Sequence, residues 1–236
     1  MAKSTPEEIR ARFDGDVERF SSLETGQTAA MDSRLMLDLI SRAARAVNPE
    51  ARSLLDIGCG AGNYTLALMN VLRIEDATLV DLSRNMLDRA VERLAGAGPV
   101  RTEALQGDIR ELVLGRERFD IAVAAAVLHH LRSEAEWRRV FQAIHDALRP
   151  GGSFWIADMV DHESAAIQDV LWNRYGDYLS GIKDASYRDH VFQYIEKEDT
   201  PRSATFQMQL LLETGFDTVD LLHKNGPFAL IGAVKR

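Results

Sequence analysis

The sequence predicts an α/β fold: a doubly wound, mostly parallel sheet of seven strands whose last strand runs antiparallel. Three observations predict it. Apolar, strand-sized runs alternate with amphipathic helical stretches from residue 53 to residue 158. That alternation implies parallel strands with helices on both faces. The first run, Leu54-Leu55-Asp56-Ile57, feeds straight into a turn with glycines at 58, 60 and 62, and a helical pattern follows at once. The chain closes with two strand patterns, over 217–223 and 228–234, joined by Asn225-Gly226-Pro227. That join is too short for a crossover, so the two strands pair antiparallel.

Residues 1–50 read as a helical N-terminal arm. Pro6 with Glu7 and Glu8 marks a helix start, proline early and acids in the first turn. Phe13, Val17 and Phe20 recur at helical spacing, a polar break over 21–28 contains Gly26, and a second helix is predicted over 29–47. The arm either packs on the core or forms a flap over the ligand site. Residues 51–159 form the core. Its strands are predicted over 53–57, 77–81, 100–106, 119–126 and 153–158. The fourth is broken only by Asp120, as expected of a strand buried on both faces. Helices are predicted over 84–94, before a turn at 96–99, and over 133–148, with Ser133 as the cap. Trp137, Val140, Phe141, Ile144 and Leu148 share one face of the second, and Arg149-Pro150-Gly151-Gly152 ends it. Residues 160–205 break the alternation with helical, aromatic-rich sequence and form a lid insertion: Trp172, Tyr175, Tyr178, Tyr187, Phe192 and Tyr194. A helix over 205–214 and the strand pair, within 206–236, complete the core sheet.

Composition narrows the function classes. The 236 residues carry a formal net charge of -8 and no basic run, which disfavours a nucleic-acid partner. Cys59 is the single cysteine, so no internal disulfide forms, which fits a reducing cytoplasm. The polar start through Arg10 shows no signal peptide, and the longest apolar run, 121–128, is far below the roughly 20 residues that cross a bilayer. The expectation is a cytoplasmic protein without membrane contacts, and a homodimer is compatible with it.

The chemistry gathers where strands end. In an open parallel sheet, the carboxyl ends of the strands converge on one crevice. Asp81 ends strand two, 23 positions after Gly58, where a carboxylate accepts hydrogen bonds from both hydroxyls of a ribose. Gly107-Asp108-Ile109 follows strand three and brings a carboxylate near an adenine amine. Ala124-Ala125-Ala126 ends strand four with side chains small enough for a flat ring. A dinucleotide turn has the pattern Gly-x-Gly-x-x-Gly, but here the third glycine is Gly62 and position 63 is Asn. Asp56, two residues before Gly58, suits an ammonium group better than a pyrophosphate. The ligand therefore carries adenosine at one end and an amino acid at the other.

These motifs resemble the class I S-adenosylmethionine-dependent methyltransferases, over roughly 51–158 and the closing hairpin. Leu55-Asp56-Ile57-Gly58-Cys59-Gly60-Ala61-Gly62 is similar to that family's first motif. Asp81-Leu82-Ser83 with Met86 is similar to its second, and Gly107-Asp108-Ile109 to its adenine-edge motif. Val127-Leu128-His129-His130-Leu131 and Leu148-Arg149-Pro150-Gly151-Gly152 resemble the stretches after strand four and before strand five. The resemblance implies a Rossmann-like sheet with the last strand inserted between strands five and six. It implies S-adenosyl-L-methionine as cofactor, with S-adenosyl-L-homocysteine as product. It also implies a cofactor site of Asp56, Gly58, Cys59, Gly60, Asp81, Leu82, Met86, Asp108, Ile109 and Ala125. The glycine turn would hold the methionine end, and Leu82 and Met86 would lie against the adenine.

Methyl transfer from a sulfonium needs alignment, excluded water and sometimes a base. His129 is the candidate catalytic base, with His130 beside it, and Asp158 points toward the same crevice. Cys59 reads as a small packing residue. The histidines and acids show no compact metal-ligand spacing, so no metal is expected. Strand four is followed by no Asn/Asp-Pro-Pro-Tyr-like motif and no Pro-Cys, which disfavours nucleic-acid bases as acceptors. An aromatic lid suits a small molecule. Phe228-Ala229-Leu230 and Phe13-Asp14 resemble a subgroup that includes carboxy-S-adenosylmethionine synthases. Those enzymes need an arginine, for which Arg174, Arg188 and Arg202 are candidates. A cofactor-binding protein without catalysis is the remaining alternative, and Gly62 with Asn63 disfavours a nicotinamide dehydrogenase.

Overall fold

A computed structural model describes residues 3–22 and 26–236. Seven strands form one sheet: β1 (Ser53–Ile57), β2 (Asp76–Asp81), β3 (Arg101–Gln106), β4 (Phe119–Ala125), β5 (Leu148–Met159), β6 (Thr218–Asn225) and β7 (Phe228–Val234). Their order across the sheet is β3-β2-β1-β4-β5-β7-β6. The pairs from β3 to β5 are parallel, and β7 runs antiparallel to both β5 and β6. The sheet is the one the sequence predicts, with the final strand slotted inside the edge.

The described helices are α1 (Pro6–Gly15), α2 (Val17–Phe20), α3 (Ser33–Val47), α4 (Asn63–Met69), α5 (Arg84–Ala97), α6 (Glu134–Ala147), α7 (Ala165–Ile182), α8 (Ala185–Glu198) and α9 (Ala204–Glu213). Side chains alternate across each central strand, so two cores form. Ile121, Val123 and Trp155 face one side, with Ile40 of α3, Leu68 of α4, Leu94 of α5 and Tyr175 of α7. Ala122, Ala124 and Phe154 face the other, with Trp137 and Phe141 of α6 and Leu211 of α9. Capping boxes fix two helix starts, Thr5 with Glu8 on α1 and Ser133 with Glu136 on α6.

Some boundaries move, each for a local reason. The helix expected from residue 29 begins at Ser33. Asp32 just before it adopts a left-handed φ of 59°. Its carboxylate takes hydrogen bonds from Asn225 (2.7 Å) and His223 (2.9 Å) of β6, which turns the chain there. The helix of α5 runs on to Ala97, through part of the predicted turn. β5 starts five residues early, because the main chains of Gly151 and Gly152 pair with Lys235 beyond the last strand. In the polar break over 21–28, positions 23–25 lie outside the described residues.

The lid aromatics pack inward as a cluster. Trp172 stacks on Phe192 at 5.2 Å, and Tyr175 meets Phe228 of β7 edge-on at 5.4 Å. Tyr175 also donates its hydroxyl to the Ala29 carbonyl at 3.0 Å, and Tyr178 donates to Thr28 at 3.2 Å. The lid thus ties down the link between α2 and α3. Tyr175→Phe deletes one of these bonds without changing volume. It is expected to lower stability by about 1 kcal/mol, read as a lower urea midpoint at constant slope. An unchanged midpoint would mean that this link is not held by the lid.

Candidate active site

The carboxyl ends of β1, β2 and β4 meet at one edge of the sheet, and the glycine turn sits in their midst. Gly58 has a φ of 63°, and a Cβ there would lie 2.5 Å from the Val127 side chain, so the turn closes directly against the chain after β4. Gly60 also has a left-handed φ, of 49°, but nothing lies within 4 Å of where its Cβ would stand. That side of the turn faces open space.

Beside the turn lies a cavity of about 540 Å³, within the ~300–1,000 Å³ of small-molecule sites. Gly58, Asp81, Leu82, Asp108 and Ile109 line it, and Pro6 and Ile9 of α1 roof it. A narrower annex reaches Asp56, Cys59, Gly60, Met86 and Ala125 under Phe13 and Phe20 of the arm. The ten side chains and glycines expected to bind cofactor therefore border one continuous crevice. The arm is fastened over it by Ser83, which donates to Asp14 at 2.6 Å, and by Asn63, which donates to the Phe20 carbonyl at 3.1 Å.

Asp81 bridges the crevice floor. Its Oδ2 accepts from the Gly60 N–H at 2.9 Å, and its Oδ1 from the Ser83 N–H at 2.8 Å. Burial pushes its carboxyl up to about 6 against the pull of those two donors. Each oxygen retains a lone pair toward the cavity. Asp56 lies deeper, accepts from the Thr65 hydroxyl at 2.6 Å, and is pushed by burial to about 7. Burial also raises the Cys59 thiol well above its usual value. It stays a thiol, and the packing reading suits it better than a nucleophile's role.

Asp108 has a partner that its motif does not announce. Both its oxygens accept from the Arg110 guanidinium, which also reaches Glu136 at 3.2 Å. Burial would raise the Asp108 carboxyl, but Arg110 outweighs it and holds the group below the usual range.

After β4 the chain turns through Ala126, a non-glycine residue at φ 53°. This turn aims the N–H groups of Val127 and Leu128 at Asp158 Oδ2, at 3.2 and 2.7 Å. Asp158 Oδ1 pairs with Nδ1 of His129. His129 is only 8% exposed and sits one layer behind the wall, whereas His130 borders both parts of the cavity. Burial works against a charge on His129, yet Asp158 and Asp199 outweigh it and hold the imidazole up to about 9. Such a protonated ring positions its neighbours and is not free to take a proton. His130, buried beside it, is held well below the usual value by burial and by His129.

Sequence reasoning missed Asp199. It follows α8 and lies 3.6 Å from His129 Nε2 and 3.4 Å from His130 Nδ1. The expectation of no metal-ligand grouping came from linear spacing; the fold brings Asp199 back to the two histidines from 69 residues beyond His130. Lys3 and Arg132 also line the cavity, and neither carried a local signal. Arg174, Arg188 and Arg202 do not line it; they pair with Asn225, Asp189 and Glu134.

The crevice fits an adenosyl amino acid. A carboxylate with free lone pairs faces the cavity at Asp81, the Gly60 side of the turn is open, and Leu82, Met86 and Ile109 offer apolar walls.

Comparison with known proteins bears on the fold and the family. Residues 54–152 match a family described as a methyltransferase domain. The carboxy-S-adenosyl-L-methionine synthase of Salmonella paratyphi C is 29% identical over 139 residues, covering 58% of this chain and 55% of that protein. The chain thus spans about half the length of that relative. The synthase of the same description from Shewanella sp. (strain ANA-3) is 27% identical over 200 residues, covering 82% and 79%. A solved structure described as a DhpI–SAH complex aligns with 97% of this chain and 95% of its own, at a TM-score of 0.65 and 16% identity, a likeness of fold. Among the described residues, no helix is long and apolar enough to cross a membrane.

Proposed function

We propose that this chain is a class I S-adenosylmethionine-dependent methyltransferase, and that it transfers the cofactor's methyl group to a small-molecule acceptor by in-line displacement. The observation that carries this reading is the Gly60 N–H bond to Asp81. It joins the turn suited to an amino-acid tail to the carboxylate suited to a ribose, across a cavity of the right size.

Bound S-adenosylmethionine supplies an electrophilic methyl on a thioether leaving group. The chain's own residues then orient and shelter. Asp81 accepts the two ribose hydroxyls, and Leu82, Met86 and Ile109 pack against the base. Asp56 takes the ammonium of the methionyl tail, which lies along the open side of the turn at Gly60. Ile9, Phe13 and Phe20 exclude water from above. His129, with Asp158 behind it, fixes the direction of His130 at the wall where an acceptor enters. The acidic net charge and the absence of a basic run support a small acceptor over a nucleic acid. A cytoplasmic site of action and a homodimer belong to this proposal as well.

Calorimetry with S-adenosylhomocysteine and with NAD tests the reading; heat with NAD alone would overturn it. The names of the matched relatives support a second reading, in which the cofactor's methyl group is itself carboxylated. Mass spectrometry of the copurified ligand separates the two, since a gain of one carboxyl group would favour the second.

The charge of Asp81 adds a pH prediction. Ribose hydroxyls donate to the ionised carboxylate, and burial sets that group's pKa near 6. Asp56, which meets the ammonium and which burial sets near 7, must be ionised as well, so affinity for S-adenosylhomocysteine should be level only above pH 7. It should fall up to about tenfold per pH unit just below that, as protonation competes with binding. Calorimetry between about pH 5 and 8 reads this directly, and an affinity that rises on acidification would contradict it.

A further inference from the structure

We infer that His129, His130 and Asp199 form a site for one first-row divalent transition-metal ion on the wall of the cavity. The inference goes beyond methyl transfer and does not depend on it.

The geometry is the first support. One donor atom from each of the three residues lies within 4.8 Å of the other two residues' donors. His129 Nε2 and His130 Nδ1 stand 3.6 and 3.4 Å from Asp199 Oδ1. Bonds of ~2.1 Å to one ion separate adjacent ligand atoms by roughly 3.0–3.5 Å. Those separations are too long for good hydrogen bonds. Asp199 Oδ1 in fact has no hydrogen-bond partner, although its side chain is 2% exposed. A buried carboxylate oxygen without a partner is costly, and a cation would satisfy it. His130 Nδ1 also lies 3.5 Å from the Glu198 carbonyl, at the outer limit of a hydrogen bond.

The layer behind is the second support. His129 Nδ1 is held by the buried Asp158 carboxylate, whose other oxygen is fixed by two main-chain N–H groups. A carboxylate on the far nitrogen orients a metal-binding histidine and raises its basicity. Here it turns Nε2 toward Asp199.

Charge is the third. Arg12 answers Glu198 at 2.8 Å. Arg132 bonds the Glu198 carbonyl and, at 3.1 Å, the Thr200 hydroxyl. Lys3 bonds main-chain carbonyls of Glu196 and Asp199. The carboxylates of Asp158 and Asp199 otherwise face the His129 proton and, for Asp199, Arg132 nearby, and a divalent ion binding Nε2 would displace that proton and take the place of its charge. Two imidazole nitrogens with one carboxylate suit zinc, iron, cobalt or manganese better than calcium or magnesium. The three protein ligands leave further positions open, and His130 borders the cavity.

The test is titration of untagged, chelator-treated protein with Co2+, followed by visible absorption and by metal analysis after gel filtration. The expected result is one Co2+ per chain with ligand-field bands. Asp199→Asn and His130→Gln should each weaken binding at least tenfold, and Asp158→Asn by about 10–100-fold. Absence of saturable 1:1 uptake by the wild type, or equal affinity in the variants, would overturn the site. Should the variants not fold, pulsed electron paramagnetic resonance of the Cu2+-loaded wild type counts coordinated imidazoles. Two support the site; one or none overturns it.

Discussion

Asp158→Ala is expected to destabilise the protein by about 3–5 kcal/mol. The side chain is buried, and it gathers the Val127, Leu128 and Met159 N–H groups together with His129. Alanine would leave those donors without an acceptor in a place that water does not reach, and it would leave the His129 ring with only the more distant Asp199 carboxylate. Asp158→Asn should cost less, because its amide oxygen keeps the Val127 and Leu128 bonds while its NH2 group, turned toward the ring, gives up only that of Met159. Urea unfolding of the two variants gives the comparison. A loss below about 1 kcal/mol for alanine would mean that the turn after β4 is held by other groups.

Asp81→Ala is expected to weaken S-adenosylhomocysteine binding by about 3 kcal/mol, roughly 100-fold. The carboxylate offers two charge-assisted acceptors to the ribose, and it also holds the Gly60 N–H that shapes the turn. Asp81→Asn keeps one acceptor and should fall between wild type and alanine. Calorimetry at pH 7.5 (about 1.5 units above the pKa) reads both, with circular dichroism as the check on folding. Unchanged affinity would mean that the ribose lies elsewhere.

The sheet was legible in the sequence because it rests on short-range signals. Apolar runs such as 119–126, the turn around Gly58–Gly62 and the closing hairpin each declare themselves within a dozen residues. Asp81 was legible because the distance from a glycine turn to the end of the next strand varies little. What was not legible depends on contacts between distant segments. Asp199 carries no local mark, yet the return of α8 sets it against His130. Arg110 carries no motif of its own and proves to be the partner of Asp108. Asp32 reads as helix interior, yet its bonds to β6 force a left-handed turn at that residue. The lid aromatics read partly as packing and partly as a wall for a small molecule, and which of them packs where shows only in the fold: Tyr175 is fully buried against β7. Periodicity reports which face of an element is apolar, but not which element covers it.

The fastening of the N-terminal arm has a kinetic consequence. Ile9, Phe13 and Phe20 roof the crevice, and Asp14 is bonded to Ser83, the cap of α5 just past β2. An adenosyl amino acid bound beneath them is partly covered, so its exchange is coupled to opening of the arm. Loosening the arm speeds exchange in both directions, and it also removes the cover that keeps a departing product in place. The bond between Asp14 and Ser83 thus contributes to a residence time, and with it to the rate at which one reaction cycle can give way to the next.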